Sequence, residues 1–219
     1  MASAEGELTR TAARPSRRFV LALTGVIGAA LVLMLASAAI LFLDQSGKMV
    51  GLDLGRTPAP TFKLTDQHGQ PVALEQFRGQ PVVLTFLYTH CPDECPLIAD
   101  QLRQTLLQLG PDAGKVAVLA VSTDPRHDDR TSVMGFLQDH QVDGRMSFLM
   151  GSPDELTPVW KAYYVAVQDQ HPDSSIPVTD LIHSDPIYVI DKSGNERALL
   201  TLPFKASDLA SDLRKLLKE

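Results

Sequence analysis

The stretch that decides the fold of this chain reads Val82-Val83-Leu84-Thr85-Phe86-Leu87-Tyr88-Thr89-His90-Cys91-Pro92-Asp93-Glu94-Cys95. Residues 82–88 form a mostly apolar run of the kind that lies buried in a parallel sheet. Residues 97–109 have the spacing of an amphipathic helix. Cys91 and Cys95, the two cysteines of the sequence, therefore lie between a strand and a helix. Two thiols in that position indicate a site that handles electrons or a soft metal.

The remainder of the sequence repeats this alternation of strands and helices. It predicts an N-terminal hairpin (61–64 and 72–74), a second buried strand (116–121), a C-terminal hairpin (187–190 and 198–202) and a closing helix from about residue 207. Alternating strands and helices favour a parallel core, and the last hairpin is expected to add an antiparallel edge. We therefore predict an α/β, thioredoxin-like domain with a central mixed sheet, helices on both faces and an N-terminal hairpin extension.

An apolar segment precedes this domain. Residues 19–43 contain no charged side chain, and a helix of that length is roughly 37 Å long, enough to span a bilayer. Four arginines in residues 1–18 predict a cytoplasmic basic tail, by the positive-inside rule. We expect a transmembrane anchor at 19–43, a linker at 44–57 and a domain at 58–219 outside the cytoplasmic membrane. Ala36-Ser37-Ala38 resembles a signal-peptide cleavage site, but the apolar run is longer than a signal h-region.

The overall charge narrows the choice of partners. The net charge is −6, whereas a nucleic-acid-binding protein needs a basic face. Nucleic acid is therefore not an expected partner. In an oxidising compartment the two cysteines could also form one structural disulfide.

The spacing of the cysteines favours a metal over a disulfide. If Cys91 begins the helix, Cys95 is its i+4 neighbour, and their Cβ atoms are about 5–6 Å apart. A relaxed disulfide needs about 3.8 Å, whereas two thiolates hold one ion at about 2.3 Å each. A third ligand is then needed, and His183 is the histidine that precedes the strand at 187–190. In a thioredoxin-like sheet the loop before that strand faces the dithiol.

The segment Thr85 to Pro96 resembles the metal-binding motif of the Sco/SenC family, which are membrane-tethered, thioredoxin-fold copper proteins of cytochrome c oxidase assembly. Ser122-Thr123-Asp124-Pro125 is similar to the Ser-x-Asp-Pro signature of the family, and His183-Ser184 is similar to its histidine loop. The resemblance runs from about Pro60 to the C-terminus. One departure is His127, at a position where the family usually has an arginine.

The resemblance implies that Cys91, Cys95 and His183 are copper ligands. Thiolates suit Cu(I), and an added imidazole accommodates Cu(II); a Cys₂His set also suits zinc. The implied function is a metallochaperone that receives copper from a donor and delivers it to a cytochrome c oxidase subunit, with a CuA-type site, or to another copper-accepting protein. The alternative is a thiol–disulfide oxidoreductase in which Cys91 attacks and Cys95 resolves. Peroxide reduction fits less well, because no Thr-x-x-Cys pattern is present.

Overall fold

The apolar run before the cysteines forms a central strand in the computed structural model of the protein. The structure describes residues 27–28, 30–37, 48–168, 182–183 and 185–219, and for 168, 182 and 183 it describes the backbone alone. The strands are β1 Leu52–Pro58, β2 Lys63–Asp66, β3 Pro71–Ala73, β4 Val82–Leu87, β5 Ala117–Ser122, β6 Ser147–Met150, β7 Val167–Gln168, β8 Ile182–His183, β9 Ile187–Ile190 and β10 Asn195–Leu200. The α-helices are α1 Glu94–Leu109, α2 Arg130–Asp139, α3 Pro153–Ala162 and α4 Ala206–Lys218.

Eight strands form one mixed sheet in the order β1-β10-β9-β4-β5-β6-β2-β3. The pairs β4–β5 and β5–β6 are parallel, as predicted for the core. The pair β4–β9 is antiparallel, as are β9–β10 and β10–β1. The predicted N-terminal hairpin is present as β2–β3, which joins the sheet through β6. Strands β7 and β8 form a separate antiparallel pair.

Both faces of the central strands are covered, which explains their continuous apolar sequence. Along β4, Val83 and Leu87 pack in a cluster with residues of α1, α2 and α4. The alternate residues Leu84 and Phe86 pack in a second cluster with residues of α3. Because successive side chains of a strand point to opposite faces, a strand covered on both faces needs apolar residues throughout. The predicted arrangement, a mixed sheet with helices on both faces, is confirmed.

The start of the domain differs from the prediction. Six of the seven residues of β1 (Leu52–Pro58) fall in residues 44–57, which the sequence suggested were a linker, and the strand pairs with β10 at the edge of the sheet. The C-terminal hairpin β9–β10 is therefore internal and does not form the predicted edge of the sheet. Strand β10 pairs with β1 on one side, and β9 pairs with β4 on the other. Six of the seven residues of β1 are exposed, so its sequence lacks the apolar alternation by which strands are recognised.

A buried carboxylate attaches the segment before β1 to the last helix. Asp212 on α4 is 0% exposed and accepts hydrogen bonds from the backbone N–H of Val50, at 2.7 Å, and of Gly51, at 3.1 Å. The Nζ atom of Lys215 lies 3.3 Å from the same carboxylate. A buried charge is stable only when it is paired and hydrogen-bonded. The burial of the Asp212 carboxylate is therefore stable only while the N–H groups of Val50 and Gly51 donate to it.

The N-terminal predictions lie largely outside the described residues. Residues 27–28 and 30–37 are helical, and the rest of the predicted anchor (19–43) and all of the tail (1–18) are not described. Among the residues that the structure describes, none of the helices combines the length and the hydropathy that a bilayer-spanning segment needs. Residues 49–219 form a compact unit of their own.

We predict that Asp212→Ala destabilises this unit strongly. The change leaves two backbone N–H groups without their acceptor and removes one ionic partner of Lys215, and the expected loss in free energy of unfolding is about 3 kcal/mol. Urea denaturation of residues 49–219 measures it. Asp208→Ala is the matched control, since Asp208 lies one turn earlier on the same helix and is only partly buried; its expected cost is below about 1 kcal/mol. Equal losses for the two variants would contradict the role of Asp212.

Candidate metal centre

The two cysteines lie where the chain leaves β4 and turns into α1. Strand β4 ends at Leu87 and α1 begins at Glu94. Cys95 is the second residue of the helix and is 0% exposed, whereas Cys91 is half-buried in the preceding turn. The expectation that Cys91 itself begins the helix is therefore wrong. The helical i,i+4 separation does not apply to this pair.

The Cys91 side chain nevertheless contacts the N-terminus of α1 through a hydrogen bond. The backbone N–H of Cys95 donates a hydrogen bond to the Cys91 Sγ atom over 3.3 Å. The residue that precedes the helix, Asp93, forms no side-chain capping bond, so the sulfur satisfies one of the unpaired N–H groups of the first turn. An N–H donor and the positive end of a helix both favour a thiolate. Neither cysteine forms a disulfide in this structure.

The two groups beside Cys91, the Cys95 thiol and the Tyr88 side chain, are almost fully buried. Burial raises the pKa of the Cys95 thiol well above its usual range, and the hydrogen bond with Cys91 raises it further. Burial likewise raises the pKa of the Tyr88 hydroxyl, which hydrogen-bonds the Cys91 side chain. Cys95 is therefore a neutral thiol when no cation replaces its proton. Sequence reasoning did not identify Tyr88, because it reads as the last apolar residue of a strand.

The two acidic side chains between the cysteines are accessible to solvent. Asp93 and Glu94 are both exposed. Their carboxylates are therefore accessible to water, which screens their charge from the sulfurs. The negative charge in the Cys-Pro-Asp-Glu-Cys sequence thus gives no separate argument for a bound cation.

The segment before β9 lies at the same edge of the sheet as the cysteines. Strand β9 runs antiparallel to β4, so its first residue is beside the end of β4 that leads to Cys91. The Asp185 carboxylate contributes to the raised pKa of both Cys95 and Tyr88, which places it within electrostatic range of them. His183 precedes Asp185 by two positions, in strand β8, where its backbone pairs with that of Val167.

The structure thus brings the two predicted thiols together and locates the backbone of the third predicted ligand. Within the described part of the chain, no three His, Cys, Asp or Glu side chains converge at metal-binding distance. The side chain of His183 is outside that description. The assignment of His183 as a ligand stays a prediction.

A second buried carboxylate fixes the loop that carries Cys91. Asp128 Oδ1 accepts hydrogen bonds from the backbone N–H and the hydroxyl of Thr89, both at 2.8 Å. Its Oδ2 accepts from the hydroxyl of Ser122, the last residue of β5. The loops that follow the parallel strands β4 and β5 are therefore joined through one side chain. Burial raises the pKa of Asp128 to about 6, although these hydrogen bonds oppose the shift.

A mixed sheet with paired thiols between its central strand and the following helix defines a thioredoxin-like protein with a redox or soft-metal site. The SCO1/SenC family model matches residues 53–218. The chain belongs to the SCO1/SenC family.

Curated and solved relatives agree with this assignment. Protein SCO2 homolog, mitochondrial, from Mus musculus is 32% identical over 139 residues, which cover 61% of this chain and 52% of that protein. The chain thus spans about half the length of this relative. The structure of Bradyrhizobium japonicum ScoI with copper bound is 29% identical, with a TM-score of 0.65, and the match covers 74% of this chain and all of that one.

A third relative supports the fold alone. BsSco, described as a member of the Sco family of cytochrome c oxidase assembly proteins with a disulfide switch, is 20% identical and has a TM-score of 0.62. The match covers 78% of this chain and 98% of that one. The predicted thioredoxin-like fold is confirmed by these structures.

We predict that Asp128→Asn changes the pH dependence of stability. The folded pKa of Asp128, about 6, lies above its ordinary value of 3.8, so the folded state binds the proton more tightly. Stability linked to this group is therefore lost as the pH rises from about 4 through 6. The asparagine carbonyl can still accept from Thr89, and the Ser122 hydroxyl can accept from the amide.

The free energy of unfolding of the variant, relative to wild type, should therefore rise by about 2–3 kcal/mol between pH 4 and pH 7. Urea denaturation of residues 49–219 across this range measures the difference. Glu155→Gln is a control of opposite sign, since hydrogen bonds from Ser152 hold the pKa of that carboxyl below its usual range. A constant difference between wild type and Asp128→Asn would contradict the assignment.

Proposed function

We propose that this protein binds copper through Cys91, Cys95 and His183 and delivers it to a cytochrome c oxidase subunit with a CuA-type site. The observation that carries the proposal is the pair of hydrogen-bonded thiols, not joined in a disulfide, at the turn into α1. The family assignment and the copper-bound ScoI structure support copper as the ion. Thiolate and imidazole are ligands that copper prefers.

The two sulfurs would have different roles in binding. The buried Cys95 thiol has a raised pKa because a lone thiolate at that position is poorly solvated. A Cu(I) ion that replaces the proton supplies the missing positive charge, so binding and deprotonation are coupled. Cys91 is already favoured as a thiolate by the N–H of Cys95. The helix terminus thus prepares one ligand, and the ion stabilises the other.

Transfer would proceed by ligand exchange on the accessible side. Cys91 is half-buried, whereas Cys95 is enclosed. A ligand of the accepting protein can therefore approach the copper beside Cys91 while Cys95 still holds it. Replacement of the protein's sulfurs one at a time keeps the ion coordinated throughout. The copper donor would load the site by the reverse sequence.

The proposed location follows from the N-terminal sequence. Residues 19–43 would anchor the chain in the cytoplasmic membrane as a single span, with residues 1–18 in the cytoplasm. The domain would then lie on the outer, periplasmic side.

The alternative is a thiol–disulfide oxidoreductase that keeps the copper-ligand cysteines of its target reduced. The half-buried Cys91 thiolate would attack a target disulfide and form a mixed disulfide, releasing one target thiolate. Cys95 would pass its proton to the released target thiolate, displace the second target sulfur as a thiolate and leave a Cys91–Cys95 disulfide. Two electrons pass from the dithiol to the target. The pairing of a half-buried Cys91 with an enclosed Cys95 favours this candidate, since one sulfur is accessible to a target and the other is held beside it.

Anaerobic Cu(I) titration of the reduced full chain, in detergent and against a chromogenic competitor, tests the proposal. We expect one ion per chain. Each of Cys91→Ser, Cys95→Ser and His183→Ala should weaken binding at least about tenfold, equivalent to about 1.4 kcal/mol per lost ligand. His68→Ala is the control, because His68 lies exposed in the β2–β3 turn; it should bind as wild type does.

The result also separates the two candidates. Binding that is unaffected by the cysteine changes would contradict the copper site. If binding is weak in all forms, while the reduced chain reduces a copper-site disulfide at a rate lost in Cys91→Ser, the oxidoreductase function would be supported instead.

A further inference from the structure

Two histidines that play no part in the proposed ligand set face each other beside the cysteines. His90 immediately precedes Cys91, and His127 lies in the loop that follows β5. Their ring centroids are 6.2 Å apart and the ring planes are at 76°. Both side chains are partly accessible, and that of His127 is 13% exposed. Paired imidazoles that water can reach are also within reach of a dissolved metal ion.

The hydrogen bond of His127 fixes its tautomer. Its Nδ1 atom lies 2.8 Å from Oδ2 of Asp124. Because a carboxylate can only accept, Nδ1 carries the proton in the neutral ring and Nε2 keeps a lone pair. Metal-binding histidines commonly donate their second ring N–H to a carboxylate in this way. Asp124 is itself buried, at 4% exposed, so the ring is held on a fixed support.

The hydrogen bonds of His90 lead to the same tautomer. Its Nδ1 atom lies 3.0 Å from the hydroxyl oxygen of Thr89. That hydroxyl donates its one hydrogen to Asp128, so it must accept from Nδ1–H of His90. The Nε2 atom of His90 therefore also keeps its lone pair. Across the described residues, 48–168 and 185–219 included, no hydrogen bond is made to Nε2 of either ring.

We propose that His90 and His127 bind one Cu(II) ion through their Nε2 atoms, at a second site beside the thiols. With a metal–nitrogen bond of about 2 Å, two imidazoles that share one ion have ring centroids at most about 6.4 Å apart. The observed 6.2 Å lies within this limit. Imidazole nitrogens with water oxygens form the tetragonal N,O environment that Cu(II) prefers.

This second site goes beyond the proposed function and holds whether or not the cysteines carry copper. It has two protein ligands, in agreement with the absence of any three-residue cluster in the described part of the chain. Waters complete the coordination, so the ion binds more weakly than at a Cys₂His site. Binding here needs no change in the oxidation state of copper or of the thiols.

The test uses the full chain with Cys91→Ser, Cys95→Ser and His183→Ala together, so that the proposed thiolate site is absent. This parent is titrated in detergent with Cu(II) alone, and electron paramagnetic resonance detects nitrogen ligands. We expect one bound Cu(II) with two nitrogen couplings. In the parent, His90→Gln and His127→Arg should each weaken binding at least about tenfold and remove the two-nitrogen signal. The guanidinium introduced by His127→Arg can still bond the Asp124 carboxylate, so a folding defect is not expected.

His68→Gln in the same parent is the matched control and should leave both affinity and spectrum unchanged. Circular dichroism of every variant separates loss of the site from loss of the fold. The proposal is overturned if His127→Arg and His90→Gln bind Cu(II) as the parent does. It is also overturned if His68→Gln weakens binding equally, which would indicate dispersed binding to surface histidines.

Discussion

The hydrogen bonds between Thr89 and Asp128 are the constraint on which the site depends. Strands β4 and β5 are parallel neighbours, so the loops that follow them leave the sheet at the same edge. Asp128 joins the two loops by accepting from Thr89 on one and from Ser122 at the end of the other strand. Cys91 follows Thr89 by two residues. Its position is therefore set from the backbone of β4 on one side and from the β5 loop on the other.

The different environments of the two thiols follow from this arrangement. The turn after Thr89 leaves Cys91 half-buried before the helix, whereas Cys95 enters the core on the first turn of α1. One sulfur accepts a backbone N–H, and the other is desolvated. A pair of this kind can either exchange a metal ion or exchange electrons with a partner. The two candidate functions thus use the same asymmetry, and only the species that reaches Cys91 differs between them.

The sequence predicts those features that rest on local chemistry. The fully buried strand β4, the β2–β3 hairpin with its turn at 66–70, and the closeness of the cysteines all follow from residue type and spacing. Strand β1 was missed because it is an exposed edge strand, attached through the distant Asp212 and not through an apolar face. The role of Asp128 was also unpredictable, because its partner Thr89 lies 39 residues away in the sequence.

X-ray absorption at the copper edge, on the full chain loaded anaerobically with one equivalent of Cu(I), tests the central claim most directly. The account predicts a first shell of two sulfur atoms and one nitrogen atom, and the nitrogen contribution should disappear in His183→Ala. A shell with a single sulfur, or one made of nitrogen and oxygen only, would contradict the claim that the thiols at the start of α1 bind copper together.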